Sequence, residues 1–240
     1  MSVLKRSDKQ RVDKRGFPLT LAIGLLVAAV MGFVSNASAT SISFGLDVEF
    51  SGATAPASST LPWMTITLDD SFGDANTVRM TVSATNLTGG QKGESINSFL
   101  LNFDPLLDAS LLDFIPFDLP EDSDSVPTSI TGKNNDFMAD GDGFFDIEFA
   151  MPPPTMSSES RFTAGETIIY DLIYDSPISI SSFDFFSEMG GGQGSFIVAA
   201  QILGIGNTDE SGWIGAIPEP GTALLLGLGM MGLGWRRQVR

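Results

Sequence analysis

From Ser41 to Ser51 every second residue is apolar: Ile42, Phe44, Leu46, Val48 and Phe50 fall on one side of an extended chain, with Ser43, Gly45, Asp47 and Glu49 on the other. A period of two is the mark of a strand with one buried face. A helix would repeat its apolar positions every three or four residues. Val78, Met80, Val82 and Ala84 repeat the pattern against Arg79, Thr81, Ser83 and Thr85. Further runs at Met64 to Leu68, Ile96 to Phe103, Phe144 to Phe149, Thr167 to Tyr174, Ile178 to Phe186 and Ser195 to Leu203 bring the predicted strands to about eight. Clusters rich in Gly, Asn, Asp and Pro at 86–93, 120–142, 151–160 and 190–194 separate them. No stretch between Thr40 and Ala216 shows helical periodicity. The expected body is all-β, an antiparallel β-sandwich of jelly-roll or immunoglobulin-like type, with a closed barrel as runner-up. An outer-membrane barrel is disfavoured, because the strands are short, acidic on one face and without paired aromatic girdles.

Both ends read as signals. Lys5, Arg6, Lys9, Arg11, Lys14 and Arg15 form a basic stretch, Leu19 to Val34 an apolar one, and Ala37-Ser38-Ala39 a small-residue cleavage site. This is the plan of a Sec-type signal peptide, so residues 1–39 are expected to form a signal helix handled by the Sec translocon and cut by signal peptidase. At the other end, residues 217–240 begin with the stiff triplet Pro218-Glu219-Pro220, in which each proline fixes φ and biases the preceding residue away from helix. An uncharged run from Gly221 to Trp235 follows, then Arg236, Arg237 and Arg240. That run suits a short transmembrane helix with arginines on the cytoplasmic side. Its fifteen residues span only about 22 Å against a hydrocarbon core of about 30 Å, a marginal and therefore temporary anchor.

The tripartite tail closely resembles the PEP-CTERM sorting signal of exported proteins in biofilm- and exopolysaccharide-forming Gram-negative bacteria. The resemblance implies an exosortase, a membrane-embedded cysteine protease, as the partner that reads Pro218, Glu219 and Pro220, and a cell-surface or extracellular destination. Segments of the body also resemble a recurrent exported domain seen with this tail: Gly93-Glu94 with Phe99 to Pro105, Ala139 to Phe149, Arg161 to Glu166, Gly190 to Gly194 and Ser211 to Ala216. That group has no assigned activity. Other members carry a histidine near Ala199-Ala200-Gln201 and this chain has none. The resemblance implies shared fold and export, not a reaction.

Charge and composition narrow the chemistry. Of 13 Lys and Arg, only Arg79, Lys92, Lys133 and Arg161 lie between the two signals, whereas 26 of the 29 acidic residues do. Such a surface repels nucleic acid and anionic lipid. With no His and no Cys, the chain alone excludes disulfides, His/Cys zinc sites and histidine-based triads.

The one chemically pointed stretch is Asn134-Asn135-Asp136-Phe137-Met138-Ala139-Asp140-Gly141-Asp142-Gly143, followed by Asp146 and Glu148. An EF-hand is not supported, because Met138 and Ile147 fall on ligand positions. Two readings stay open. Asp136, Asp140, Asp142 and Asp146 would surround a structural calcium; the preferred alternative is a hairpin turn, since Asp-Gly supplies the positive φ that tight turns need. No cofactor is otherwise expected. Glycosidase chemistry needs two spaced carboxylates, but with so many acids some pair falls in range by chance, and the signal is void. Trp63, Tyr170, Tyr174 and above all Trp213 are the candidates for a sugar-stacking platform, against the alternative of core packing. The expected function is that of a non-catalytic surface or matrix protein. A carbohydrate-binding module for exopolysaccharide is the alternative, and a secreted hydrolase the second.

Overall fold

The structure, a computed structural model, describes residues 41–89, 93–118, 126–153, 161–192, 194–206 and 208–217. The expected signal helix and C-terminal membrane helix lie outside the described residues. Among those described, no helix is long and apolar enough to cross a membrane.

Twelve strands occur among the described residues: β1 (Ser41–Leu46), β2 (Val48–Glu49), β3 (Met64–Asp69), β4 (Thr77–Ser83), β5 (Ser95–Leu101), β6 (Asp113–Asp118), β7 (Ser129–Met138), β8 (Phe144–Ala150), β9 (Phe162–Thr163), β10 (Thr167–Ile173), β11 (Val198–Ile205) and β12 (Glu210–Ala216). All pair antiparallel, in two sheets. The first runs β1-β3-β4-β10-β6; the second runs β2-β12-β11-β5-β8-β7, with β9 paired to β5.

Alternation builds the core. Met64, Ile66 and Leu68 of β3, Val78, Met80 and Val82 of β4, and Ile168, Tyr170 and Leu172 of β10 point inward from the first sheet. Ile96, Phe99 and Leu101, Ile147 and Phe149, and Val198, Ala200 and Ile202 meet them from the second. Phe149 stacks on Phe99 at 4.5 Å and takes Phe114 and Tyr170 edge-on at 5.4 and 5.6 Å. Burying an aromatic ring of this size contributes about 2–3 kcal/mol each before entropy is counted.

Three expectations need correction. The alternation over Ser41 to Ser51 is not one strand: the chain changes sheets at Asp47, so Phe44 and Leu46 enter the core between the sheets. Val48 and Phe50 instead join a second cluster with Leu100, Ala139, Phe145, Phe196 and Ala199, on the opposite face of the second sheet. The run Ile178 to Phe186 is not a strand. It folds as a short 3-10 turn, Ile180–Phe183, because Ser179 takes up both ends of the turn: its N–H donates to Ser182 Oγ and its carbonyl accepts from Ser182 N. Ile180 and Phe183, three apart, then share a buried face. Finally β6, β7, β9 and β12 were not among the predicted strands.

Candidate functional site

The Asn134 to Glu148 stretch forms the end of the β7–β8 hairpin, and two local devices shape it. The first is a large bulge. Gly132 pairs with Ile147 and Phe137 with Phe145, so β7 spends five residues where β8 spends two. Asn135 adopts φ 53° in the extra segment. Asp146 lies opposite and fills the gap: its two oxygens accept the Asn135 N–H at 2.7 Å and the Phe103 N–H at 2.8 Å. Asn134 ties the bulge to the neighbouring turn, accepting from Ala109 N and donating to Leu107 O, both at 2.8 Å. Gly132 permits that approach, since a Cβ there would lie 2.0 Å from Ala109 O. Asp146 is only 7% exposed. Burial pushes its pKa up, the two backbone donors oppose that, and Glu188 adds to the rise.

The second device is the turn itself. Asp140 and Gly141 have φ 48° and 82°, and Asp142 N donates to Ala139 O at 2.8 Å. Two consecutive positive φ values define the mirror-image turn for which Asp-Gly is suited. The glycine-rich run 190–194 lies against this turn. A Cβ on Gly190 would sit 2.5 Å from Gly141 O, and one on Gly192 would sit 1.8 Å from Asp142 Oδ1. Gly194 N donates to the Asp142 carboxylate, whose Oδ1 has no hydrogen-bond partner among the described residues. Desolvation raises the Asp142 pKa, and Asp140 adds to it.

The fold therefore divides the four carboxylates of the calcium reading, which the sequence left open beside the preferred hairpin turn. Asp136 is exposed and paired to Lys133 Nζ at 2.7 Å, and Asp146 is spent on two backbone N–H groups. Asp140 and Asp142 remain as neighbours on one turn. Among the described residues no three acidic side chains converge as metal ligands.

The aromatic candidates separate as well. Trp63, Tyr170 and Tyr174 are buried in the main core; Trp63 Nε1 donates to Ser58 O at 2.8 Å, and the Tyr174 hydroxyl accepts from Asp108 N at 3.2 Å. Trp213 is half-buried against the second cluster. Two exposed rings that the sequence reading did not single out are Phe72, in the loop between β3 and β4, and Phe117 of β6. Between them lies Arg79, 3.3 Å from the Phe117 ring centre and 4.6 Å from that of Phe72, with a bidentate pair to Asp171 at 2.8 and 3.0 Å. A lone arginine in the middle of an alternating strand, in a body with four basic residues, was the available signal.

The last strand sets where the tail leaves. Ala216, 3% exposed, is the final core residue of β12, and Ile217 beyond it is exposed. With Ser43, Phe44, Gly45 and Pro62 these two residues line a groove of about 220 Å³. Pro218, Glu219, Pro220, Arg236 and Arg237, and the cleavage-site residues Ala37 and Ala39, lie outside the described residues. Residues 216–238 match the PEP-CTERM protein-sorting motif, and no curated protein and no solved structure matches the chain. The motif marks a β-rich exported protein addressed to an exosortase and held in the membrane before it is processed.

Proposed function

We propose that the body is a non-catalytic surface or matrix protein of a biofilm or exopolysaccharide layer, an antiparallel sandwich that acts through its outer faces once the tail has been processed. One observation supports the non-catalytic part: of the three buried carboxylates among the described residues, Glu94 and Asp146 each have both oxygens occupied by backbone donors. Glu94 accepts from Ala57 N at 2.6 Å and Thr88 N at 2.7 Å, and Asp146 from Phe103 N and Asn135 N. A carboxylate holding two loops together is not available as nucleophile or proton carrier. Its loss costs the fold rather than a reaction.

The sorting half of the proposal is tested by replacing Pro218, Glu219 and Pro220 with alanine and fractionating cells with and without the exosortase. The expected outcome is a full-length, membrane-retained chain in the variant and in the strain lacking the protease, against a shortened extracellular chain in the wild type. Equal release of the variant overturns it.

A further inference from the structure

Three carboxylates from two distant parts of the chain line one cavity. Its volume is about 610 Å³, within the size range of small-molecule sites, and it is formed by β2 and the residues just after it, the β7–β8 turn and the glycine run. Glu49, Asp140 and Asp142 supply its acids, Ser51 a hydroxyl, and the stacked Phe50–Phe196 pair its apolar wall. No lysine or arginine is among the described residues that line it.

The three acids are placed differently. Asp140 is exposed on the turn. Glu49 is half-buried, and one of its oxygens, Oε1, accepts from Ser51 N at 2.8 Å and Ala53 N at 3.3 Å. Asp142 is the unusual one. It is 3% exposed, and its Oδ1 has no hydrogen-bond partner among the described residues; that oxygen faces Gly192, itself a lining residue. A buried carboxylate oxygen without a donor costs the fold stability until something positive comes to it. The local sequence keeps the position open, since a side chain at residue 192 would overlap that oxygen.

The lining also selects the kind of cation. Calcium takes about six to eight oxygen ligands at one point, and among the described residues no three acidic side chains converge as metal ligands. The acids are instead spread around a space much larger than an ion. A cation that brings its own body matches such a space: an ammonium for the carboxylates, hydroxyls for the remaining acceptors, and an apolar side for Phe50 and Phe196. A lysine side chain would use the charge and leave the other acceptors idle. An amino sugar uses both.

We propose that this cavity is a binding site for a hexosamine with a free amino group, its ammonium held by Asp142 and Asp140 and its hydroxyls by Glu49 and Ser51. This deepens the reading of the body as a matrix protein by naming the sugar unit it takes, and it rests on that reading only for the polymer, not for the site.

The test compares two sugars that differ in one charge. The full-length, detergent-solubilised chain from a strain lacking the exosortase is titrated calorimetrically at pH 7 with glucosamine and with N-acetylglucosamine. Glucosamine is expected to bind about tenfold more tightly or better, because acetylation removes a charge-assisted hydrogen bond. Asp142→Asn is expected to bring the ratio close to one. Should that variant fail to fold, Asp140→Asn serves, since asparagine tolerates the positive φ of the turn; it is expected to weaken glucosamine several-fold and leave N-acetylglucosamine unchanged. Equal binding of the two sugars by the unaltered chain, or binding of neither, overturns the proposal and leaves the matrix reading, which the fractionation of the tail variant tests separately. Glucosamine bound no better than a lysine amide overturns it too, as does calcium that displaces glucosamine at equal concentration.

Discussion

The core between the sheets and the smaller cluster on the far side of the second sheet bury the same kinds of residue by different means. In the first, strands supply the side chains at every second position, and the opposing sheet covers them. In the second, β5, β8 and β11 supply Leu100, Phe145 and Ala199, but the cover is made of irregular chain: Phe50 after the sheet change at Asp47, Ala139 of the turn, and Phe196 beyond the glycine run. Phe50 and Phe196 stack at 4.1 Å to close it. Period-two chemistry is enough for the first cluster. The second also needs positions without side chains: a Cβ on Gly215 would lie 2.6 Å from the Phe196 ring, in addition to the contacts at Gly190 and Gly192.

The sharpest way to break this comparison is to remove one ring from each. Phe149→Ala deletes a fully buried ring touched by three others and is expected to cost about 3–5 kcal/mol in urea unfolding. Phe196→Ala is expected to cost about 1–3 kcal/mol, since a cover of loops can settle into the space. Amide protection of β3, β4 and β10 should survive it. If Phe196→Ala unfolded the chain as readily as Phe149→Ala, the outer cluster would be part of one indivisible core.

Glycine substitutions come next in size. Gly192→Ala forces the run off the turn, because its Cβ would overlap Asp142 Oδ1, and should cost about 1–3 kcal/mol and red-shift Trp213 fluorescence as the cluster opens. Gly191→Ala meets no atom and pays only for its φ of 97°, about 1 kcal/mol, with the fluorescence unchanged. Identical spectra for the two variants would show that the glycine run does not seal the cluster.

The same division decides what could be read from the sequence. Strands that line the main core, such as Met64 to Leu68 and Thr167 to Tyr174, announce themselves by alternation. β7 does not: as an exposed edge interrupted by a bulge, its Ser-Ile-Thr-Gly-Lys-Asn-Asn-Asp-Phe-Met keeps no periodic apolar face. β6 carries Pro116 and outward Ile115 and Phe117, and β12 has glycine at positions 212 and 215 where a neighbour comes close. The Asp140-Gly141 turn was legible because its φ requirement is local. That Asp146 would be claimed by Phe103, more than forty residues away, was not, because it depends on which loop the second sheet brings alongside. Asp146 is set apart from Asp140 and Asp142 for that reason: spacing along the chain cannot foresee competition from distant backbone donors.

The smallest effect is a pH dependence that separates the two burial modes. Asp142, Asp146 and Glu148 all have pKa values raised from the ordinary 3.8, 3.8 and 4.5, in each case first by desolvation. All three lie on the hairpin that supports the outer cluster, and none is in the main core. A raised carboxyl keeps its proton in the folded chain at a pH where the unfolded chain has lost it, so the native state binds more protons and stability falls as pH rises above the ordinary value. Lowering the pH toward the ordinary carboxylate values is therefore expected to raise the melting temperature, by roughly 2–4 °C for each kcal/mol recovered in a body of this size. Relief of the general negative charge acts in the same direction, but salt screens it and does not restore water to a buried carboxylate. The rise should therefore persist at high salt. Asp142→Asn, whatever it does to absolute stability, should flatten the slope, because it removes a buried carboxyl whose pKa is raised first by desolvation. A melting temperature that is flat or falling over this range at high salt would mean that the hairpin carboxylates are hydrated, and that the outer cluster is looser than its glycine seal requires.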